Sequence, residues 1–319
     1  MKATIARRFI RLLITLLVVS FLTSSMFELL PGDPALSIVS ADTFNVNPES
    51  IEAARKILHL DQPFYERYAR WLGNAVQGDF GESFRTHQPV SDALWERLPI
   101  TLELMIMAQL FAIAFALLVA PLAAWRPGKW FDRSTTMLSF GLLSIPSFVG
   151  GLFLIYVVAV RFDLLTSTGF THLSDGVVEN IKSMLLPSLT LAAGEGAVYA
   201  RLLRAEMVNT LDEDYVLMAR ANGLSTPRIL LRHALRPSAL PLITILGVSI
   251  GGLIGGSVIV ESLFGLPGLG RLAVDSIENR DVITLQGVVA VVALGYVLIN
   301  FIVDLSYIIA DPRIRHAPA

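Results

Sequence analysis

The chain has 319 residues, of which 54% are hydrophobic and only 16% charged, and its formal net charge is −2. A soluble globular domain carries about 25% charged residues, so this composition excludes a soluble protein and indicates a polytopic membrane protein. Because the chain has no cysteine, disulfides, thiolate catalysis and cysteine metal sites are excluded as well.

The first predicted membrane span covers residues 9–30, an apolar run whose start is rich in the basic residues Lys2, Arg7, Arg8 and Arg11. At about 1.5 Å per residue in a helix, the run is long enough to cross a hydrocarbon core of roughly 30 Å. A cleaved signal peptide has a shorter apolar region, of about 7–15 residues. We therefore expect a span that is retained in the mature protein.

Residues 31–99 form the one sizeable polar segment, and its acidic residues outnumber its basic ones. Its sequence predicts helices over 48–58, 63–76 and 91–97, with a turn over 78–81 between the last two. The segment is short for an independent domain, so we expect it to pack on the membrane helices.

Five further apolar runs predict spans over 100–125, 135–160, 185–203, 239–259 and 283–309. The predicted fold is an all-α polytopic membrane protein with six transmembrane helices. Lysine and arginine concentrate between the second and third spans, between the fourth and fifth, and at the C-terminus, so the positive-inside rule places both termini in the cytoplasm. This divides the chain into residues 1–30, an extracytoplasmic domain over 31–99, and a five-helix core over 100–319.

A polar, arginine-rich loop at 211–241 interrupts the second half of the chain on the predicted cytoplasmic side. Its pattern predicts a helix over 214–221, a stop at Gly223, and a second helix that begins at Ser225 with Pro227 in its first turn. A short helix held between two spans offers a surface on which another protein can push.

The sequence carries no sign of catalytic chemistry. The glycine cluster at 264–271 lacks the Lys-Ser/Thr pair that grips phosphate and Mg²⁺, and a turn explains it better. The five histidines are scattered, so they do not form a metal-binding pattern. We predict no catalytic residue, no metal, no cofactor and no nucleic-acid partner.

Small residues mark two of the predicted spans. Gly247, Gly251 and Gly255 are four residues apart and share one face of the fifth span, which permits close approach of another helix. Either ordinary bundle packing or a helix that lines a translocation path explains this face. Pro146 predicts a kink in the third span.

A charged side chain in the middle of a span raises the free energy of membrane insertion by roughly 2.5–3.5 kcal/mol, so each such residue requires an explanation. Glu195 lies in the middle of the fourth span, either as a polar residue of a path or paired with a neighbouring helix. Asp304, Tyr307 and Asp311 share a face near the end of the last span, where pairing with arginine is the simpler explanation. No chain of buried carboxylates and histidines crosses the membrane, which disfavours a proton-coupled secondary transporter and indicates an external source of energy.

Several stretches, in order along nearly the whole chain, resemble one family: the B-type permease subunits of ATP-binding-cassette (ABC) importers for dipeptides, oligopeptides and nickel. The matching stretches are LPGDP at 30–34, LDQP at 60–63, GDFGES at 78–83, SIPSF at 144–148, LPSLTL at 186–191, ARANGLS at 219–225, FGLPGLG at 264–270 and DPRIR at 311–315.

The resemblance implies a type I importer permease in a bacterial inner membrane, with a small extracytoplasmic domain between its first two helices. The loop helix would dock on one of two cytoplasmic ATP-binding subunits, which hydrolyse ATP in place of the permease. The implied coupling residues are Asp214, Tyr215, Ala219, Arg220, Ala221, Gly223 and Ser225.

The resemblance also implies three further partners: a second, homologous permease, membrane lipid, and an extracytoplasmic substrate-binding protein that would dock near Asp79 and Glu82. Di- or oligopeptides are the expected substrates. Import of nickel or another small solute, or a stand-alone secondary transporter, are the alternatives.

Overall fold

The computed structural model describes residues 2–29, 51–52, 55, 60–83 and 85–310, without the side chains of residues 2–6, 8–9, 26–29 and 303–310. The LPGDP and DPRIR stretches lie outside this part of the chain, and so does most of the helix predicted over 48–58. The suggested face formed by Asp304, Tyr307 and Asp311 lies outside it as well.

The described chain is almost entirely helical, in agreement with the predicted all-α class. In chain order the helices are α1 (Lys2–Leu29), α2 (Phe64–Ala75), α3 (Val90–Trp125), α4 (Trp130–Ser144), α5 (Ser147–Leu154), α6 (Val177–Leu211), α7 (Asp214–Ala221), α8 (Thr226–Arg228), α9 (Leu235–Ser238), α10 (Leu240–Phe264), α11 (Leu269–Glu278) and α12 (Val282–Ala310). Two π-helical segments join them, π1 (Ile155–Arg161) after α5 and π2 (Ile229–Ala234) between α8 and α9.

Among the described residues, three helices are long and apolar enough to cross a membrane alone: α3, α10 and the Val282–Ile302 part of α12. A fourth span requires α4 and the α5–π1 helix to be counted together. The apolar part of α1 is shorter, Ile10–Ser25, and α6 carries a glutamate in its middle. The six-span count therefore stays a prediction.

The predicted kink at Pro146 is a complete break. Helix α4 ends at Ser144, Ile145 is extended, and α5 begins after Pro146, with a bend of 105° between the two helices. The proline ring disfavours helical geometry at the residue before it, and here Ile145 leaves the helix altogether. The break thus lies at the residue where the sequence predicted a kink, and it divides the predicted span over 135–160 between two short helices.

The model divides into two compact units, and the first consists of residues 1–100 and 267–319. In this unit α12 packs against both α1 and α11. The amphipathic helix predicted over 63–76 is α2, and its Tyr68 hydroxyl lies 2.8 Å from that of Ser20 on α1. Edge-to-face contacts of Phe21 with Phe64 and Tyr68 add an aromatic cluster at this junction.

The second unit consists of residues 101–266 and is built around α6, on which α4, α5 and α10 all pack. A run of alanines four residues apart gives α3 a narrow buried face; these are Ala108, Ala112, Ala116, Ala120 and Ala124. Opposite this face, a Cβ added to Gly196 of α6 would lie 3.3 Å from the Cα of Ala112. Small residues on both helices thus let their backbones approach closely.

Candidate functional site

The loop helix predicted over 214–221 is α7, with the same limits. Its inner face is formed by the buried residues Val216 and Ala219, and Val216 belongs to the same core cluster as Met207 and Leu211 of α6. Its outer face exposes two large apolar side chains, Leu217 and Met218. Helix α7 therefore rests on the end of the bundle and presents an apolar surface away from it.

Gly223 ends α7 as predicted, with a left-handed φ of 75°. The amide of Gly223 donates to the carbonyl of Arg220 at 3.0 Å, and the amide of Leu224 donates to that of Ala219 at 3.2 Å. This pair of bonds is a Schellman motif, which satisfies carbonyls at a helix end and favours glycine at the left-handed position. A glycine at 223 thus sets the direction in which the chain leaves α7.

The segment after Gly223 returns to α10 through α8, π2 and α9. Ile229, Leu230 and Ala234 bury its inner face, and the hydroxyl of Ser238 lies 2.9 Å from that of Thr210 on α6. Ser225 precedes α8 at the predicted capping position, but its side chain makes no capping bond. A capping side chain usually accepts a hydrogen bond from the second or third backbone amide of the helix. In α8 the second residue is Pro227, which has no amide hydrogen.

Two further contacts fix α7 to its surroundings. The hydroxyl of Tyr215 donates to the carbonyl of His233 at 3.2 Å. Partial burial, with a contribution from the charge of Glu213, raises the pKa of Tyr215, so the hydroxyl keeps its donor proton at neutral pH. The Arg220 guanidinium lies 5.1 Å from the ring centre of Trp125, a cation–π contact with the last residue of α3.

Other predicted coupling residues lie on the open surface of the loop. Asp214, Arg220, Ala221, Gly223 and Ser225 are exposed, whereas Ala219 is buried. Sequence reasoning did not select Leu217, Met218 or Trp125. Leu217 and Met218 could have been found from the sequence, because they are apolar residues in a polar loop. The contact of Trp125 with Arg220 could not, because it depends on the tertiary fold.

Glu195 takes part in a polar cluster inside the second unit, where α3, α6 and α10 meet. The hydroxyls of Tyr199, one turn further along α6, and of Ser249 on α10 lie beside its carboxylate. Tyr199 is fully buried; its hydroxyl also bonds to that of Ser249 and donates to Oε1 of Gln109 on α3 at 3.0 Å. None of the ion pairs found among the described residues involves Glu195.

The glycines predicted to share one face of α10 differ in burial. Of the three predicted residues, Gly247 is buried, Gly251 is half-buried, and a Cβ added to Gly255 would meet nothing within 4 Å. Two other glycines of α10 face α6: Gly252 lies beside Glu195, and a Cβ added to Gly256 would lie 3.0 Å from Leu191. The role of the predicted face therefore stays a prediction.

An ion pair links the N-terminal turn of α4 to the C-terminal part of α6. The carboxylate of Asp132 accepts hydrogen bonds from Nε and Nη2 of Arg204, both at 2.7 Å. It also accepts the backbone amide of Gly128 at 2.7 Å. The sequence pointed to the basic residues of these loops but not to this pairing, which requires the two helices to be neighbours.

Three further predicted site residues, Pro146, Asp79 and Glu82, lie on the surface. Pro146 is exposed at the start of α5. Asp79 accepts the backbone amide of Gly81 at 2.9 Å, and the Glu82 side chain is 64% exposed, 3.9 Å from His87. Next to them, Ser83 turns inward and donates to Asp281 at 2.5 Å. Asp79 and Glu82 are therefore accessible on a turn that Ser83 anchors.

Comparisons with known proteins agree along the whole chain. Residues 110–316 match the family described as "Binding-protein-dependent transport system inner membrane component", and residues 1–105 match the N-terminal membrane component of such systems. The protein is 39% identical over 313 residues to the glutathione transport system permease protein GsiC of Shigella flexneri serotype 5b (strain 8401). It is 38% identical over 313 residues to the protein of the same name from Escherichia coli (strain K12). Both alignments cover 98% of each chain.

The loop helix fixed at the end of a membrane bundle and the matches over both parts of the sequence lead to one assignment. The chain belongs to the family of binding-protein-dependent transport system inner membrane components and is an ABC importer permease of the peptide and nickel type.

Proposed function

We propose that this ABC importer permease carries short peptides, with glutathione-like tripeptides among them. The observation that carries the proposal is the 38–39% identity, over 98% of both chains, to relatives named as glutathione transport permeases. Nickel or another small solute is the alternative within the same family.

We further propose six spans, formed by α1, α3, α4 with α5–π1, α6, α10 and α12, with both termini in the cytoplasm. A helix of 35 residues such as α6 is about 50 Å long and exceeds a hydrocarbon core of roughly 30 Å. Arg126, Lys129 and Arg133 on the α3–α4 side support a cytoplasmic position for that end of the bundle. The 31–99 segment is then extracytoplasmic.

In this proposal the permease works with a second, homologous permease, two cytoplasmic ATP-binding subunits and an extracytoplasmic binding protein. Helix α7 is the element that the ATP-binding subunit moves. Its buried face transmits the movement to α6, its Arg220–Trp125 contact transmits it to α3, and the segment from α8 to α9 transmits it to α10. Asp79 and Glu82 offer accessible negative charge to the binding protein.

Reconstitution into vesicles tests the function as a whole. With all subunits present, we expect peptide uptake to require ATP on the side of the 211–241 loop and binding protein on the other side. The isolated chain is expected to hydrolyse no ATP, since it has no phosphate-binding loop. Uptake that persists after ATP depletion would instead indicate a secondary transporter, and uptake of Ni²⁺ without uptake of any peptide would favour the metal alternative.

The exposed apolar face of α7 allows a direct test of docking. Leu217 and Met218 are 48% and 67% exposed, and burying the exposed part against an ATP-binding subunit would contribute about 1–2 kcal/mol for each side chain. We expect Leu217→Asp with Met218→Asp to prevent co-purification of the ATP-binding subunit while the permease still inserts.

Leu173→Asp is the matched control for this pair, because Leu173 is 58% exposed on the loop at the opposite end of α6. The control should leave co-purification unchanged. Equal loss of the ATP-binding subunit in both variants would show that the added charge damages the permease in general and would contradict docking through α7.

A further inference from the structure

Glu195 is half-buried in the apolar part of α6, and its carboxylate lies beside the hydroxyl groups of Tyr199 and Ser249. A carboxylate has about four acceptor positions and no donor. Tyr199 and Ser249 have one donor proton each, and Gln109 and the Leu246 carbonyl also accept bonds from these two hydroxyls. The carboxylate of Glu195 therefore keeps acceptor positions that these hydroxyls do not occupy. No ion pair found among the described residues involves it.

The side of α10 that faces this carboxylate is open. The nearest atom to a Cβ added at Gly252 would be Oε1 of Glu195, at 3.4 Å, and a Cβ added at Gly255 would have nothing within 4 Å. Both glycines are exposed within the chain. The carboxylate thus borders a surface of bare backbone with room for a group from outside the chain.

We propose that Glu195 is a substrate-contact residue that binds the amino-terminal ammonium group of the peptide as it passes, with Tyr199, Ser249 and Gln109 as positioning residues. This inference rests on the proposed peptide import and on a path beside α6 and α10. It assigns to the permease itself a selection for substrates with a free amino group.

Charge and geometry favour an ammonium group over other ligands. A charged carboxylate inside a membrane is expensive unless a partner compensates it, and a compact cation with three donors matches its free acceptor positions. A divalent metal needs several ligands, and the described residues contain no group of three histidine, aspartate or glutamate side chains that could hold one. Negatively charged groups of a substrate would be repelled.

Protection from chemical modification tests this contact independently of the binding protein. In the purified complex, a carbodiimide modifies accessible carboxylates, and mass spectrometry reports each site. We expect alanylalanine to slow modification of Glu195 at least about fivefold, whereas N-acetylalanylalanine, which lacks the charge, should not slow it. Glu206 on the same helix is the reference site and should react equally with both peptides.

Uptake by the reconstituted complex supplies the second measurement. Glu195→Gln should reduce alanylalanine uptake about tenfold, the effect of losing about 1.4 kcal/mol, whereas Glu206→Gln should have little effect. Tyr199→Phe should weaken the protection of Glu195 by alanylalanine without abolishing it.

Equal protection by both peptides, or by neither, would overturn the inference, and so would full alanylalanine uptake by the Glu195→Gln variant. In each case ATP-dependent uptake by the wild-type complex would keep the proposed function intact. Absence of peptide uptake by the wild-type complex would instead contradict the proposed function itself.

Discussion

Gly223→Val is expected to abolish transport while the permease still inserts and binds lipid. Gly223 has a φ of 75°, and a Cβ at this position would meet nothing within 4 Å, so the cost comes from the backbone and not from a clash. A left-handed conformation costs an L-residue about 1–2 kcal/mol, and a β-branched residue is a genuine outlier there. The chain would leave α7 in another direction and misalign the docking helix.

The measurement is ATP-dependent peptide uptake, normalised to the amount of inserted permease. Gly128→Val is the matched control, since Gly128 has the same φ of 75° and the same open space but lies in the α3–α4 loop. Gly223→Asn should keep much of the uptake, because asparagine tolerates the left-handed region. Wild-type uptake by a normally expressed Gly223→Val variant would contradict the role given to this turn.

The limits of α7 could be predicted because local residues determine them. A glycine stop and a proline restart act through backbone geometry within a few positions, and both lie where the sequence placed them. The orientation of α7 was not predictable in the same way. Burial of Val216 and Ala219, and the stacking of Arg220 on Trp125, depend on how distant helices pack.

The same distinction applies in the membrane core. A proline inside an apolar run predicts a disturbance, but the 105° bend at Pro146 also needs packing partners for α5. One partner site is Gly151, where an added Cβ would lie 2.7 Å from Leu263. Glycines four apart on α10 identify possible packing faces, but the contacts of Gly252 with Glu195 and of Gly256 with Leu191 depend on where α6 lies. Local sequence determines neither the bend nor these contacts.

Asp132→Asn is expected to lower the stability of the permease by about 2–4 kcal/mol, a little below the 3–5 kcal/mol typical of a broken buried pair. The side chain of Asp132 is only 5% exposed, whereas that of Arg204 is 31% exposed, so solvent can compensate part of the lost partner. Asparagine keeps the size of the side chain but loses the charge, and it cannot accept both Arg204 donors on two oxygens. Helix α4 would then lose its main polar attachment to α6.

Unfolding in mixed detergent micelles measures the change, with Asp275→Asn as control. Asp275 pairs with Arg271 at 3.9 Å on an exposed helix surface, and such pairs contribute about 0–1 kcal/mol. A double-mutant cycle with Arg204→Gln isolates the pair, and we expect a coupling of about 2 kcal/mol, within the range for directly bonded residues. Additive effects of the two substitutions would mean that the two side chains act separately. A coupling of that size would show that the ion pair holds α4 on α6, the helix that leads into the 211–241 loop.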